Sequence, residues 1–257
     1  AANSAAPSPD TVAGTAQLNT LDVVINATTA LWPRLDTDES YSLEIGNGGG
    51  DATGSVVRAT LRARSVYGAL RGLETFAQLV AERDQWVDRT ARAKRRAIQR
   101  RWSVAGPFPL IVDDAPRWPW RGVLIDTARH FLPLGAILPM LDAMAYNKLN
   151  VLHWHICDAQ SFPLILPNVP ELALRGAFKS GAADHGAREE ADADGASRVV
   201  RGAPNVYTPA DVRAVVGYAR DRGIRVVPEI DVPAHTASWG LAFPAAVANC
   251  TTVASRR

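Results

Sequence analysis

The sequence predicts an α/β protein: an incomplete (β/α)8 TIM barrel of about three strands, preceded by a small α+β domain. Three observations carry that prediction. Apolar runs at Val123–Ile125, Asn150–Ile156 and Ile224–Asp231 each end in a cluster of ionisable side chains. Helix-period patterns separate these runs, which makes them βα units whose chemistry sits at the carboxyl ends of the strands. Upstream, short alternating segments followed by one helical stripe outline the smaller domain.

Composition bounds the function classes. The chain has 257 residues, 47% apolar and 21% charged, as a globular protein with a real core does. A net charge of +2, from 28 basic and 26 acidic residues, is too weak to imply nucleic acid as a partner. No window reaches the ~18 to 20 apolar residues of a spanning helix, so no transmembrane segment is expected. Ala1 to Gly14 lacks a hydrophobic core, so no signal peptide is visible; a processed chain would look the same.

Residues 1–20 read as a flexible lead-in, and 21–81 as the small α+β domain. Within it, Leu21–Ile25, Tyr41–Ile45 and Val56–Ala63 are strand candidates, and Leu70, Leu73, Phe76 and Val80 mark a helical stripe. Residues 82–116 read as a basic linker or hairpin, with eight Lys/Arg against three acids between 82 and 101. Residues 117–257 form the first part of the barrel. Ile137, Leu138, Leu141, Met144 and Ala145 give the buried face of the first barrel helix, in which Pro139 fits only within the first turn. A polar stretch at 179–204 reads as a mobile surface excursion. Thr208, Pro209 and Asp211 predict a capped helix start, and Gly223 a left-handed stop. Cys157, inside an apolar strand, reads as a buried thiol, whereas Cys250 falls in a loop.

The three strands terminate in Asp126/Arg129/His130, His153/His155/Asp158 and Glu229/Asp231/His235. Residues two apart in a strand face the same way, so His153 pairs with His155 and Glu229 with Asp231. Burying nine ionisable groups at one end without function would be costly. Three readings compete. In a carbohydrate hydrolase, carboxylates orient hydroxyls, Arg129 donates paired hydrogen bonds and a His–Asp pair tunes a general acid. In a metallohydrolase, His153-Trp-His155 binds a metal with Asp158, His235 or Asp231. In a binding module, the same residues hold a sugar without turnover.

Three long runs carry a family resemblance: Arg121-Gly122…Asp126-Thr-Ala-Arg129-His130-Phe-Leu-Pro133, Met144-Ala-Tyr-Asn-Lys-Leu-Asn-Val-Leu-His153-Trp-His155…Asp158…Gln160-Ser-Phe-Pro163, and Tyr207-Thr-Pro…Asp211…Tyr218-Ala-Arg-Asp-Arg-Gly-Ile-Arg-Val-Val-Pro-Glu229…Asp231…Pro233-Ala-His235-Thr…Ser238-Trp-Gly240. They resemble glycoside hydrolase family 20, the β-N-acetylhexosaminidases, and Tyr67–Leu79 resembles the helix of that family's N-terminal domain. The resemblance implies an exo-acting retaining hydrolase of terminal N-acetylglucosamine or N-acetylgalactosamine, in which the substrate's own acetamido carbonyl attacks. It implies that Arg129, Asp158, His235 and Glu229 bind the substrate: Arg129 holds ring hydroxyls, Asp158 and His235 form the pair that leans on the catalytic glutamate, and Glu229 with Asp231 lines the site floor. His155, Asp231 and Asp126 are implied as supporting residues. No metal or other cofactor is expected. The expected partner is an amino-sugar glycan of a glycoprotein, glycolipid or chitin oligosaccharide, with a homodimer open as the assembly. With the acceptor patterns Asn26-Ala-Thr28 and Asn249-Cys-Thr251, the resemblance implies a glycoprotein of the secretory route, lysosomal or extracellular.

One departure qualifies this. The family's Asp-Glu dyad, in a His-x-Gly-Gly-Asp-Glu motif, does not occur; the only Asp-Glu pair is Asp38-Glu39, in the small domain. The expectation is therefore an N-terminal portion, inactive by itself, whose dyad would lie beyond residue 257.

Overall fold

The computed structural model describes residues 17–26, 31–46, 56–88, 96–104, 108–179, 189–191, 197–199 and 204–248. Backbone contacts divide the chain into two compact units, one comprising the residues up to Leu31 and Asp36–Pro119, the other Trp32–Leu35 and the residues from Trp120 onward.

In the first unit, strands β1 (Gln17–Ile25), β2 (Tyr41–Gly46), β3 (Val56–Ala63) and β6 (Leu110–Asp114) form one sheet in the order β1-β3-β2-β6. Strand β1 runs parallel to β3, and β2 is antiparallel to both of its neighbours. Two boundaries differ from the sequence reading. Strand β1 begins at Gln17, inside the expected lead-in, because its backbone pairs with Val56 and Val57 of β3. Strand β6, placed in the linker by its charged surroundings, completes the sheet by pairing with β2. Between them, β4 (Val80–Asp88) and β5 (Arg96–Val104) form an antiparallel hairpin.

Helix α1 (Val66–Leu79) is capped by Ser65, whose Oγ accepts from the Gly68 N–H at 2.9 Å. It meets the sheet through small residues more closely than through the expected leucine stripe, since Tyr67, Gly68, Ala69, Arg71 and Gly72 are buried while Leu73 and Phe76 are partly so. A Cβ on Gly68 would lie 2.4 Å from the Ser40 carbonyl oxygen, and one on Gly72 would lie 2.3 Å from Leu61 Cδ1. Backbone yields less readily than a side-chain methyl. Gly68→Ala is therefore expected to destabilise this unit by about 1–3 kcal/mol, read by chemical denaturation, and an unchanged midpoint would refute the close approach. The lone Asp38-Glu39 pair is structural here, with Glu39 Oε1 accepting from buried Arg71 Nε at 2.7 Å.

In the second unit, β7 (Gly122–Asp126), β8 (Val151–Cys157) and β11 (Arg225–Ile230) are parallel in the order β7-β8-β11. Parallel neighbours need a crossover connection between successive strands, usually a helix. Those helices are α2 (Leu134–Tyr146) and α4 (Pro209–Arg220), with a short α3 (Glu171–Gly176) after β8. One sheet face carries Leu152, Trp154 and Ile156, all buried with Ile137, Leu141, Met144, Val215 and Ala219. The opposite face carries Asp126, His155 and Glu229 in one register row.

Helix α4 begins with a reciprocal capping box between Thr208 and Asp211. It ends at Gly223 (φ 68°), where Ile224 N–H bonds to the Ala219 carbonyl and Gly223 N–H to the Arg220 carbonyl, both at 2.9 Å. Pro139 departs from expectation by lying in the second turn of α2. The residue four positions earlier is Gly135, which is exposed, so the carbonyl that Pro139 cannot bond is on the solvent side of the helix. Within the expected excursion at 179–204, β9 (Glu189–Ala191) pairs antiparallel with β10 (Ser197–Val199); its other residues, between Lys179 and Pro204, lie outside the described ones. So does Cys250. Cys157 is buried, and burial pushes its thiol up to about 12. Among the described residues no helix is long and apolar enough to cross a membrane.

Candidate active site

The strand ends converge on Asp158. This carboxylate follows β8 and has no exposed side-chain surface, yet four donors reach it. Arg129 Nη2 lies 2.7 Å and His155 Nε2 2.9 Å from Oδ2. The Ala159 N–H lies 2.5 Å from Oδ1, and His235 Nδ1 is 3.2 Å from Oδ2. Such a buried anion is tolerable only because it is paired from several sides. Burial by itself would raise the pKa of Asp158, but the hydrogen bonds from His155, Ala159 and His235 and the charge of Arg129 outweigh it and hold the carboxyl below its ordinary value. The oxygens of Asp158, expected to bind substrate, lie against Arg129, His155, the Ala159 N–H and His235.

Arg129 sits in the turn after β7. Asp126 shapes that turn, its Oδ1 accepting from the Ala128 and Arg129 N–H groups at 3.1 and 3.0 Å. Its Oδ2 takes Arg129 Nη1 at 2.5 Å, and Gln160 Oε1 takes Nε at 2.9 Å. Three of the five guanidinium N–H groups are so engaged, which fixes the plane and leaves one N–H on each terminal nitrogen for a ligand. The side chain remains 36% exposed.

Strand β11 delivers Glu229 beside both histidines of β8: Oε1 lies 2.8 Å from His155 Nδ1, and Oε2 contacts His153 Nε2. The bonds from His155 and His153 hold the Glu229 carboxyl below its ordinary range, and burial opposes them weakly. Burial lowers His155, but its bonds to Asp158 and Glu229 prevail and raise it. His235, on the loop beyond β11, adopts a left-handed backbone (φ 60°), which is costly for a residue with a Cβ and is often met at functional sites. Its Nε2 lies 3.9 Å from Asp231 Oδ2. All seven expected site residues, Asp126, Arg129, His155, Asp158, Glu229, Asp231 and His235, therefore belong to one contiguous cluster.

Sequence reasoning missed Gln160, which orients Arg129, and Ser238, whose Oγ donates to the Asp158 carbonyl at 2.6 Å. Both lay within quoted runs, without a charge to single them out. The metal reading meets a specific obstacle. His155, Asp158 and Asp231 place ligand atoms within 4.8 Å of one another. Both His155 nitrogens already face carboxylates, however, and Asp158 Oδ2 already takes Arg129 Nη2 and His155 Nε2.

The pH dependence follows from the signs. The lowered carboxylates Asp126, Asp158 and Glu229 stabilise the fold above their ordinary values of 3.8, 3.8 and 4.5, and that contribution is lost as pH falls through the lower folded values. The raised His155 contributes fully below 6.5, and this is lost as pH rises through its folded value. Calorimetric stability of the second unit is expected to peak between about pH 4.5 and about pH 6.5; a maximum on the alkaline side would contradict the charge pattern.

A family model described as glycosyl hydrolase family 20, catalytic domain, matches residues 118–257, and one described as beta-acetyl hexosaminidase like matches residues 2–79. The chain is 43% identical over 212 residues to the beta-hexosaminidase subunit beta of Mus musculus, covering 81% of this chain and 30% of that one. It is 35% identical over 217 residues to subunit A1 of Dictyostelium discoideum, covering 84% and 32%. It thus spans about a third of the length of these curated relatives. Among solved structures, a glycoside hydrolase family 20 beta-N-acetylglucosaminidase matches with a TM-score of 0.58 at 30% identity, over 88% of this chain and 36% of that one. The Streptomyces plicatus N-acetyl-beta-hexosaminidase in complex with Thio-NAglucal matches with a TM-score of 0.55 at 26% identity, over 85% and 35%. The α/β fold is that of these enzymes, and since the matched catalytic-domain region includes every residue of the Asp158 cluster, this chain belongs to glycosyl hydrolase family 20.

Proposed function

We propose that this chain supplies the sugar-holding half of a β-N-acetylhexosaminidase site that removes terminal N-acetylglucosamine or N-acetylgalactosamine with retention. The convergence of Arg129, Asp158 and His235 supports this reading most directly. Arg129 offers its two remaining N–H groups to vicinal ring hydroxyls, while Asp158 orients the Nδ1–H of His235 so that Nε2 can bear on the acid that protonates the leaving oxygen. That acid would come from an Asp-Glu dyad, which these 257 residues do not contain in the family's motif. The β7-β8-β11 sheet is the first portion of a barrel in this reading, and the unit before it is the family's small α+β domain. The substrate's acetamido oxygen acts as nucleophile, so no metal is required. An amino-sugar glycan of glycoprotein, glycolipid or chitin origin is the partner, a homodimer the assembly to test, and a lysosomal or extracellular glycoprotein the setting. The stability window expected at mildly acidic pH fits the former.

Calorimetric titration tests the proposal. The chain is expected to bind N-acetylglucosamine more tightly than glucose, with Arg129→Ala weakening it by about tenfold or more. It is expected not to hydrolyse a fluorogenic N-acetylglucosaminide. Equal binding by Arg129→Ala would defeat the sugar-holding role, and turnover would defeat the expected inactivity.

A further inference from the structure

Glu229 does more than line a site floor. One carboxylate takes two histidines, His155 Nδ1 on Oε1 and His153 Nε2 on Oε2. The second nitrogen of His155 lies 2.9 Å from Asp158 Oδ2. An ionised carboxylate accepts hydrogen bonds and donates none. An imidazole with such an oxygen on each nitrogen satisfies both only with a proton on each. A neutral ring would turn a lone pair toward one of the anions. Both acids have reason to stay ionised, Asp158 through Arg129 and the Ala159 N–H, and Glu229 through its two histidines.

The result is an alternating row across three strands: Asp126, Arg129, Asp158, His155, Glu229 and His153. We propose that Glu229 is a positioning residue that holds His155 as an imidazolium against Asp158, and so fixes Asp158 as the anion that receives the Nδ1–H of His235. The functional part rests on the sugar-site reading above; the charge assignment does not. The Nε2 of His235 lies 3.9 Å from the Asp231 carboxylate, and the side chain is 47% exposed. The charged and titratable groups around His155 are Asp126 and Arg129 from the β7 end, Glu229 from β11 and Asp231 just beyond it, His153 and Asp158 from its own strand and loop, and His235 from the loop above. His153, two residues deeper on the same face, ties Glu229 from below.

The test is histidine side-chain ¹H–¹⁵N spectroscopy of the 257-residue chain across pH. The five histidines are assigned by single replacements with glutamine. Wild type is expected to show His155 as an imidazolium at neutral pH and His235 as the Nδ1–H tautomer. Glu229→Gln is expected to lower the His155 midpoint by about one pH unit or more, whereas His153→Gln, which keeps the Glu229 carboxylate, shifts it by about half a unit or less. A neutral His155 in wild type overturns the proposal, as does a Glu229→Gln protein that is folded by circular dichroism and keeps the wild-type midpoint. Should Glu229→Gln fail to fold, the wild-type spectrum and His153→Gln decide. Folded Glu229→Gln should also lose N-acetylglucosamine affinity by about tenfold. Wild type with an imidazolium at 155 and no sugar affinity would overturn the sugar reading and leave the charge assignment standing.

Discussion

Asp158→Asn is expected to lower the thermal midpoint of the second unit by roughly 10 °C, corresponding to a loss of about 3 kcal/mol. The physical cause is an imbalance left behind, since Arg129, His155 and His235 all point at this carboxylate and its side chain has no solvent exposure. Asparagine keeps the shape, and its carbonyl oxygen can still accept from Arg129. Its amide nitrogen, however, then takes the place of Oδ1 and faces the Ala159 N–H and His235 Nδ1, so a donor meets a donor and the cations lose their anion. The surface pair Arg220–Asp221 provides the control. Asp221 has a 62% exposed side chain, and Asp221→Asn should change stability by about 0.5 kcal/mol or less. Scanning calorimetry of the two variants side by side measures the contrast. A midpoint for Asp158→Asn within about 1 °C of wild type would mean that solvent already shares this site. The difference should also shrink in strong acid, where wild type protonates Asp158 and loses the same interactions.

Trp154→Ala should cost about 3–5 kcal/mol, the other large effect. Trp154 is fully buried in the middle of β8, with its ring edge-on to Tyr207 at 4.9 Å between centroids. Its Nε1 donates to Thr127 Oγ1 at 2.8 Å. Truncation opens a cavity under the sheet and leaves the Thr127 hydroxyl without that donor. Because Trp154 separates His153 from His155, collapse into the cavity would also tilt the site face. Urea denaturation should show a lower midpoint with an unchanged slope, or no cooperative transition at all. Trp154→Phe, which keeps a ring but loses the hydrogen bond, should fall between alanine and wild type. Equal stability of the alanine variant would show that Trp154 is not central to this core.

The sequence by itself determined the elements whose causes are local. Alternation marked β2 and β3, a capping box and a glycine bounded α4, and the apolar runs with charged ends located β7, β8 and β11. It also brought the charged residues of the Asp158 cluster together, because side chains at the ends of neighbouring parallel strands lie side by side. Features that depend on distant partners were not legible. Leu110–Asp114 carries no periodicity of its own and becomes a strand only because β2 offers an unpaired edge. Pro139 sits in a second turn because an exposed glycine precedes it by one turn. The chemistry inside the cluster was decided at the same level. Spacing put His153 and His155 on one face, but only the register of β11 against β8 sets Glu229 beside both rings and turns His155 toward Asp158. Local order is encoded in neighbouring residues, whereas the protonation of a buried group depends on what lies within a few ångströms in space, and that only the folded chain brings together.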